Sequence, residues 1–197
     1  NLEDSIVQSC DVFFYKMAYE TGVDRLHDYL KHFGFGDRTG VDLTGETTGL
    51  LPSRAWKKRA RRNPWFPGET LIMGIGQGYF LATPLQLAAA TAAIANNGVY
   101  YTPHVVDYLR TRATGEITPI PTSSHTIPIV SEHNWQDVRN GMINVVEGQR
   151  GTARKILSDT YRIAGKTGTA QVFSIPQNEE YDEETIAERL RDHALFG

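Results

Sequence analysis

The sequence predicts an α+β fold, and three features carry that expectation. Apolar residues at helical spacing recur through the first hundred residues, most clearly in VDRLHDYLKHFG (23–34) and TPLQLAAATAAIANNG (83–98). Residues 99–130 alternate and are broken by prolines, the pattern of short strands and loops. YRIAGKTGTAQVFSI at 161–175 is rich in strand formers and reads as a strand. Helices therefore cluster early and strands late, with no internal repeat.

Taken in order, NLEDSIVQSCDVFFYKMAYETG opens the chain in helical register with an apolar stripe, and helices are expected at 11–20 and 23–33. Gly34 stands where a left-handed cap is wanted. Residues 34–52, rich in Gly and Thr, read as loop with short extended pieces; a basic helix comes next over 53–62, and NPWFPGET reads as turns. The helix at 83–98 has Thr83 as N-cap, Pro84 at its first position and Gln86 completing a capping box, and Asn97-Gly98 stops it. It is apolar nearly all round, which predicts burial rather than a surface position. Ser131 caps an expected helix over 131–147, a short helix is expected after Gly151, and a last charged helix over 183–193.

Bulk properties exclude more than they assign. The chain has 197 residues, 40% hydrophobic and 22% charged, enough to bury a core. A net charge of -3 gives no global attraction to nucleic acid or to an anionic membrane. Cys10 is the only cysteine, so no internal disulfide forms. No apolar run approaches the roughly 18 residues of a membrane helix, and no secretory leader opens the sequence. There is no initiator Met, and both ends read as cuts through a domain, so the chain is expected to be a fragment.

GKTGTA at 165–170 first invites a phosphate-loop reading, but the signature needs glycine where Thr160 stands. It also needs a helix after the lysine, whose amides would hold phosphate, and AQVF is strand material. Gly74-Ile-Gly76-Gln-Gly78 is no dinucleotide fingerprint either, because Tyr79 occupies the place of the last glycine. Lys-Thr-Gly is instead the third motif of penicillin-recognising serine acyltransferases, where it lies on a strand beside the nucleophile. On its own the triplet is weak. The companion S-x-N or S-D-N motif belongs on a loop between two helices, and Ser9-Cys10-Asp11 sits between two apolar helical segments. The plain alternative is that Ser9 merely caps the helix after it.

The context of these motifs raises the match. SCDVFFYKMAYETGVDRLHDYLKHFGFGDRTGVDL, MGIGQGYFLATPLQLAAATAAIANNG, IAGKTGTAQV and AERLRDHALF occur in family order. Together they resemble the transpeptidase domain of class B penicillin-binding proteins, most closely the elongation-specific members of Gram-negative bacteria. The resemblance runs through nearly the whole chain. It implies the penicillin-binding and serine β-lactamase-like fold, represented here by mostly its helical part plus the K-T-G strand. Residues 1–197 would then be a partial transpeptidase domain, with the later sheet strands beyond Gly197. The glycine-rich turn would support the floor of the active site.

The resemblance implies a D,D-transpeptidase that cross-links peptidoglycan stem peptides through a serine acyl-enzyme and is acylated by β-lactams. Its nucleophile lies in S-x-x-K, yet no serine here, at 5, 9, 53, 123, 124, 131, 158 or 174, has lysine three residues on. The nucleophile is thus expected upstream of Asn1, and this chain alone is expected to be inactive. By carry-over, Ser9 belongs to the proton relay, Lys166 keeps the site positive, and Thr167 and Thr169 bind the substrate or β-lactam carboxylate. Gly168 leaves room for the substrate backbone, and the Thr169 N–H is one oxyanion donor. Asp11 replaces the commoner Asn and can only accept hydrogen bonds when ionised; pairing with Lys166 is one expectation for it.

No cofactor is required, although some relatives place zinc beside the residue matching Cys10, with their other ligands upstream. A membrane glycan polymerase is the implied partner, at the periplasmic face of the inner membrane and with an N-terminal anchor. A β-lactamase, a penicillin-sensing domain and a non-catalytic scaffold remain alternatives. Lys57-Lys58-Arg59-Ala60-Arg61-Arg62 reads as a solvated helix face rather than a nucleic-acid contact, and Glu179 to Glu184 as a solvated loop. The histidines are dispersed and form no H-E-x-x-H.

Overall fold

A computed structural model describes residues 1–171 and 187–197. In chain order the elements are α1 (Leu2–Val7), α2 (Asp11–Thr21), α3 (Val23–Lys31), α4 (Arg54–Arg61), α5 (Pro67–Met73) and α6 (Pro84–Ala95). Then come β1 (Val99–Tyr101), β2 (Tyr108–Arg110), β3 (Ile117–Pro119), β4 (Ser124–Thr126), α7 (His133–Glu147), β5 (Thr167–Ala170) and β6 (His193–Phe196). The chain divides into two compact units, one of residues 1–10 and 140–197, the other of residues 11–139.

In the 11–139 unit, α2 and α3 meet at Gly22, whose φ of +80° lets the chain turn without steric cost. Gly34 holds the expected left-handed conformation (φ +82°) after α3. The core gathers Val23, Phe33, Phe35, Leu51, Trp65, Met73, Ala89, Ala90, Ala93, Tyr100, Ile127 and Trp135. β1 pairs antiparallel with β4, and β2 pairs with β3, as alternation over 99–130 predicts.

α6 begins with its predicted capping box: Thr83 Oγ1 accepts from Gln86 N at 3.1 Å, and Gln86 Oε1 accepts from Thr83 N at 2.9 Å. The expected all-round burial does not hold. Gln86, Ala89, Ala90 and Ala93 are buried, while Ala88, Ala92 and Ala95 face solvent. Alanine is a strong helix former with little apolar surface, so exposing it costs little. Gln86 also does what its cap role did not reveal. From full burial its Nε2 donates to the carbonyls of Gly34, Asp37 and Thr48, tying three loop positions to the helix.

Two further expectations are corrected here. NPWFPGET is not only turn: Pro67 opens α5, and the Glu69 carboxylate accepts the Phe66 N–H at 2.8 Å, half of a capping box. The basic helix α4 is not solvated throughout. Its Ser53 cap accepts from Trp56 N, and Lys58, Arg59, Arg61 and Arg62 are exposed, but Lys57 is buried. Lys57 pairs with Glu69 and lies 4.4 Å from the centre of the Phe66 ring, so carboxylate and aromatic face replace its hydration.

In the other unit, α1 is anchored by Asn1, whose side chain accepts from Asp4 N at 2.8 Å, and by Asn144, which donates to Glu3. Val145 and Val146 are buried. The expected short helix after Gly151 is a single 3-10 turn, Arg154–Ile156. The strand expected over 161–175 is confined to Thr167–Ala170, with 172–175 outside the described residues. The last helix also departs from expectation. Residues 183–186 lie outside the described set; Glu188–Leu190 form a 3-10 turn, and His193–Phe196 is a strand instead. Pairing with β5 overrides the helical pattern there. Glu179 to Glu184 also lie outside the described residues.

Candidate active site

Ser9 gains its position from a helix end. The Cys10 N–H donates to Ser5 O at 2.9 Å and the Ser9 N–H to Ile6 O at 3.3 Å, the paired bonds of a Schellman motif closing α1. Ser9 occupies the left-handed position of that motif, with φ +53°, where glycine is the usual residue. The sequence placed Ser9-Cys10-Asp11 between two helices, and it lies between α1 and α2. Asp11, exposed, is the first residue of α2; Cys10 is exposed with a free thiol.

Lys166 lies immediately before β5, so the lysine leads into a strand, not into the helix a phosphate loop requires. β5 pairs antiparallel with β6 in the register Thr167–Phe196, Gly168–Leu195, Thr169–Ala194 and Ala170–His193. Lys166 N donates to Gly197 O at 2.7 Å, extending the ladder by one residue. The start of the strand is fixed from two sides. Gly165 N donates to Met142 O of α7, and a Cβ at Gly165 would fall 2.4 Å from the Phe196 ring. Gly168 differs: a Cβ there would meet only Leu195 Cβ, at 3.9 Å.

The two motifs converge. Lys166 Nζ donates to Ser9 Oγ at 2.8 Å and to Thr167 O at 2.8 Å, and lies 3.4 Å from Thr167 Oγ1. An ammonium has three hydrogens and no acceptor, so this arrangement holds a cation against two hydroxyls. Thr167 is half-buried, whereas Gly168 and Thr169 are exposed along β5. Among the residues expected at the site, Ser9, Lys166 and Thr167 are thus brought into direct contact.

Sequence reasoning missed the frame around β5. Thr152 Oγ1 lies 2.9 Å from Thr167 Oγ1. Arg162 forms a two-point bond to Glu147 at the end of α7, at 2.6 and 2.9 Å, three residues before Gly165. The hydrogen bonds from this guanidinium hold the Glu147 carboxyl below the ordinary carboxylate range, against an opposing push from burial. Arg154 donates to the Glu147 and Gly148 carbonyls, satisfying acceptors that the helix end leaves open. No periodicity or motif marks Thr152 or these pairs, because each depends on a loop returning to a helix end. Gly74 of the glycine-rich turn has a packing role: a Cβ would lie 2.3 Å from Ala18 Cβ, so it lets α2 and α5 approach closely.

Comparison with known proteins shows the family and the fold. The penicillin binding protein transpeptidase domain profile matches residues 1–190. The peptidoglycan D,D-transpeptidase MrdA of Acinetobacter baumannii is 44% identical over 200 residues, covering 100% of this chain and 29% of that protein. The chain therefore spans under a third of this curated relative. The crystal structure of Pseudomonas aeruginosa PBP2 in complex with WCK 5153 superposes with a TM-score of 0.81 at 44% identity, covering 100% of this chain and 40% of that one. PBP2 from Helicobacter pylori, solved in a complex with MreC, gives a TM-score of 0.79 at 36% identity, covering 100% and 33%.

Proposed function

Because the chain belongs to the penicillin-binding protein transpeptidase family, we propose that the full-length protein is a peptidoglycan D,D-transpeptidase of cell-wall elongation. The observation that carries this is the 2.8 Å bond from Lys166 Nζ to Ser9 Oγ, which joins two motifs 157 residues apart. A serine upstream of Asn1 attacks the D-alanyl-D-alanine carbonyl, and the serine's proton leaves with D-alanine. An amine on a neighbouring strand then attacks the ester, the serine C–O bond breaks, and the amine's proton returns to the serine oxygen. Splitting the transfer into two acyl steps lowers each barrier.

In this scheme Lys166 supplies positive charge that favours the neutral form of the lysine beside the nucleophile. Ser9, already hydrogen-bonded to Lys166, carries the proton between the lysines and the leaving nitrogen. Thr167 and Thr169 take the substrate or β-lactam carboxylate, and the Thr169 N–H is one oxyanion donor, an interaction worth about 3 to 4 kcal/mol. Gly168, where an added Cβ would meet only Leu195 Cβ at 3.9 Å, admits the substrate backbone. Asp11 is assigned an acceptor role in place of the amide donor of Asn. Stem peptides and β-lactams are the proposed ligands, and a membrane glycan polymerase the partner. The protein would work at the periplasmic face of the inner membrane, held by an N-terminal anchor. Among the described residues no three His, Cys, Asp or Glu side chains come together as a metal site. A zinc beside Cys10 would need ligands supplied from upstream of Asn1, as the family resemblance implies.

Fluorescent penicillin tests the proposal. The full-length protein should carry a stable covalent label, while the 197-residue chain, which has no S-x-x-K, should carry none. Rapid loss of label would mark a β-lactamase, and stable label without transpeptidation of stem peptides a sensor. Absence of label on the full-length protein would sink the reading. In the same assay Asp11→Asn should change the rate of labelling; an unchanged rate removes any special role for the carboxylate.

A further inference from the structure

Thr152 has no place in the motifs, yet its hydroxyl lies 2.9 Å from that of Thr167. The loop that presents it is closely determined. Ala153 N donates to Val145 O, Arg154 donates to the Glu147 and Gly148 carbonyls, and Gly151 N donates to Gly148 O. A Cβ at Gly151 would fall 2.2 Å from Val145 O, so the backbone just before Thr152 packs directly on the end of α7. The Thr152 side chain is thus carried by a backbone held on both sides.

Hydrogen counting gives the contact a meaning. Thr167 Oγ1 has one hydrogen and two lone pairs. Lys166 Nζ, 3.4 Å away, is a donor only and approaches a lone pair. If Thr167 donates to Thr152, its single hydrogen is committed and only lone pairs face a bound carboxylate, which repels them. If Thr152 donates to Thr167, the hydrogen of Thr167 is released for the carboxylate. We infer that Thr152 is a positioning residue: it donates to Thr167 Oγ1 and so sets Thr167 as a hydrogen-bond donor to the ligand carboxylate. This rests on the transpeptidase reading above, in which Thr167 binds that group. Thr152 itself need not touch the ligand.

The experiment compares benzylpenicillin with its methyl ester on the full-length protein, since the ester lacks the anionic carboxylate. Thr152→Val keeps shape and removes the hydroxyl; Thr152→Ser keeps the hydroxyl. Thr152→Val should lower the second-order acylation constant for the acid by about 3- to 10-fold, the scale of one hydrogen bond. The loss should fall on the apparent dissociation constant and leave the limiting acylation rate unchanged. The ester should react equally well with wild type and Thr152→Val, and Thr152→Ser should behave as wild type with both compounds. Equal losses for acid and ester, an unchanged acid constant in Thr152→Val, or failure of Thr152→Ser to restore it would each overturn the inference. A wild-type protein that reacts with neither compound would instead overturn the transpeptidase reading. Should Thr152→Val not fold, Thr152→Ala makes the same comparison.

Discussion

Ser9 is a residue whose local conformation and chemistry pull in opposite directions. The Schellman motif that closes α1 favours glycine at its left-handed position, and Ser9 stands there at φ +53°. A side chain in that conformation costs roughly 1 kcal/mol, yet the same position delivers the hydroxyl to Lys166. Two substitutions separate the effects. Both Ser9→Gly and Ser9→Ala remove the hydroxyl, but only Gly relieves the backbone. Ser9→Gly is therefore expected to be more stable than Ser9→Ala by about 1 kcal/mol in urea unfolding, with acylation by penicillin impaired in both. Equal stabilities would show that the left-handed turn carries no strain. Stability set aside at a functional residue is a known pattern, and Ser9 fits it.

At the scale of the element, β5 and the two residues leading into it carry two kinds of glycine on either side of one lysine. Gly165 is required by the protein's own packing, since a methyl group there meets the Phe196 ring at 2.4 Å and the Gly197 carbonyl at 2.7 Å. Gly168 is not, since the same group would find only Leu195 Cβ at 3.9 Å. Gly165→Ala should therefore destabilise by about 1 to 3 kcal/mol through overpacking, read as a lower thermal midpoint. Gly168→Ala should leave that midpoint unchanged while slowing penicillin labelling, because the added methyl group enters the space proposed for the ligand. A midpoint drop for Gly168→Ala matching that of Gly165→Ala would show that both glycines serve the fold alone.

For the whole molecule, carboxylates held as anions decide the response to acid. Burial pushes Glu46 up, but hydrogen bonds from Thr39 and Gly40, with Arg38 nearby, outweigh it and leave its pKa below the ordinary value of 4.5. Asp42 is lowered by the amides of Val105 and Val106, which donate to it at 2.8 and 2.9 Å. Glu147 is lowered by Arg162. A depressed pKa means that the unfolded chain binds protons more readily. The stabilisation is thus fully present above about pH 4.5 and is lost as pH falls through the lower folded values. Urea midpoints should fall steadily below that point, and Glu46→Gln should flatten the slope by removing one titrating group. An identical slope in Glu46→Gln would exclude Glu46 from the acid response.

The sequence by itself determined what depends on near neighbours. Thr83, Pro84 and Gln86 specify the start of α6, because a capping box closes within one turn. Gly34 marks the end of α3, because glycine enters the left-handed region without steric cost. The absent glycine at Thr160 and the strand after Lys166 turned GKTGTA away from phosphate, and Ser9-Cys10-Asp11 supplied its companion motif. Tertiary structure alone decided what depends on distant partners. AERLRDHALF carries a helical pattern, yet its end pairs with β5 as a strand. Lys57 reads as a solvated charge until Glu69 and Phe66 enclose it. Thr152 becomes part of the site only where a loop folded back on α7 meets β5. Caps and turns are written in consecutive residues, whereas strand pairing, ion burial and hydroxyl networks are selected by chain segments far apart in sequence.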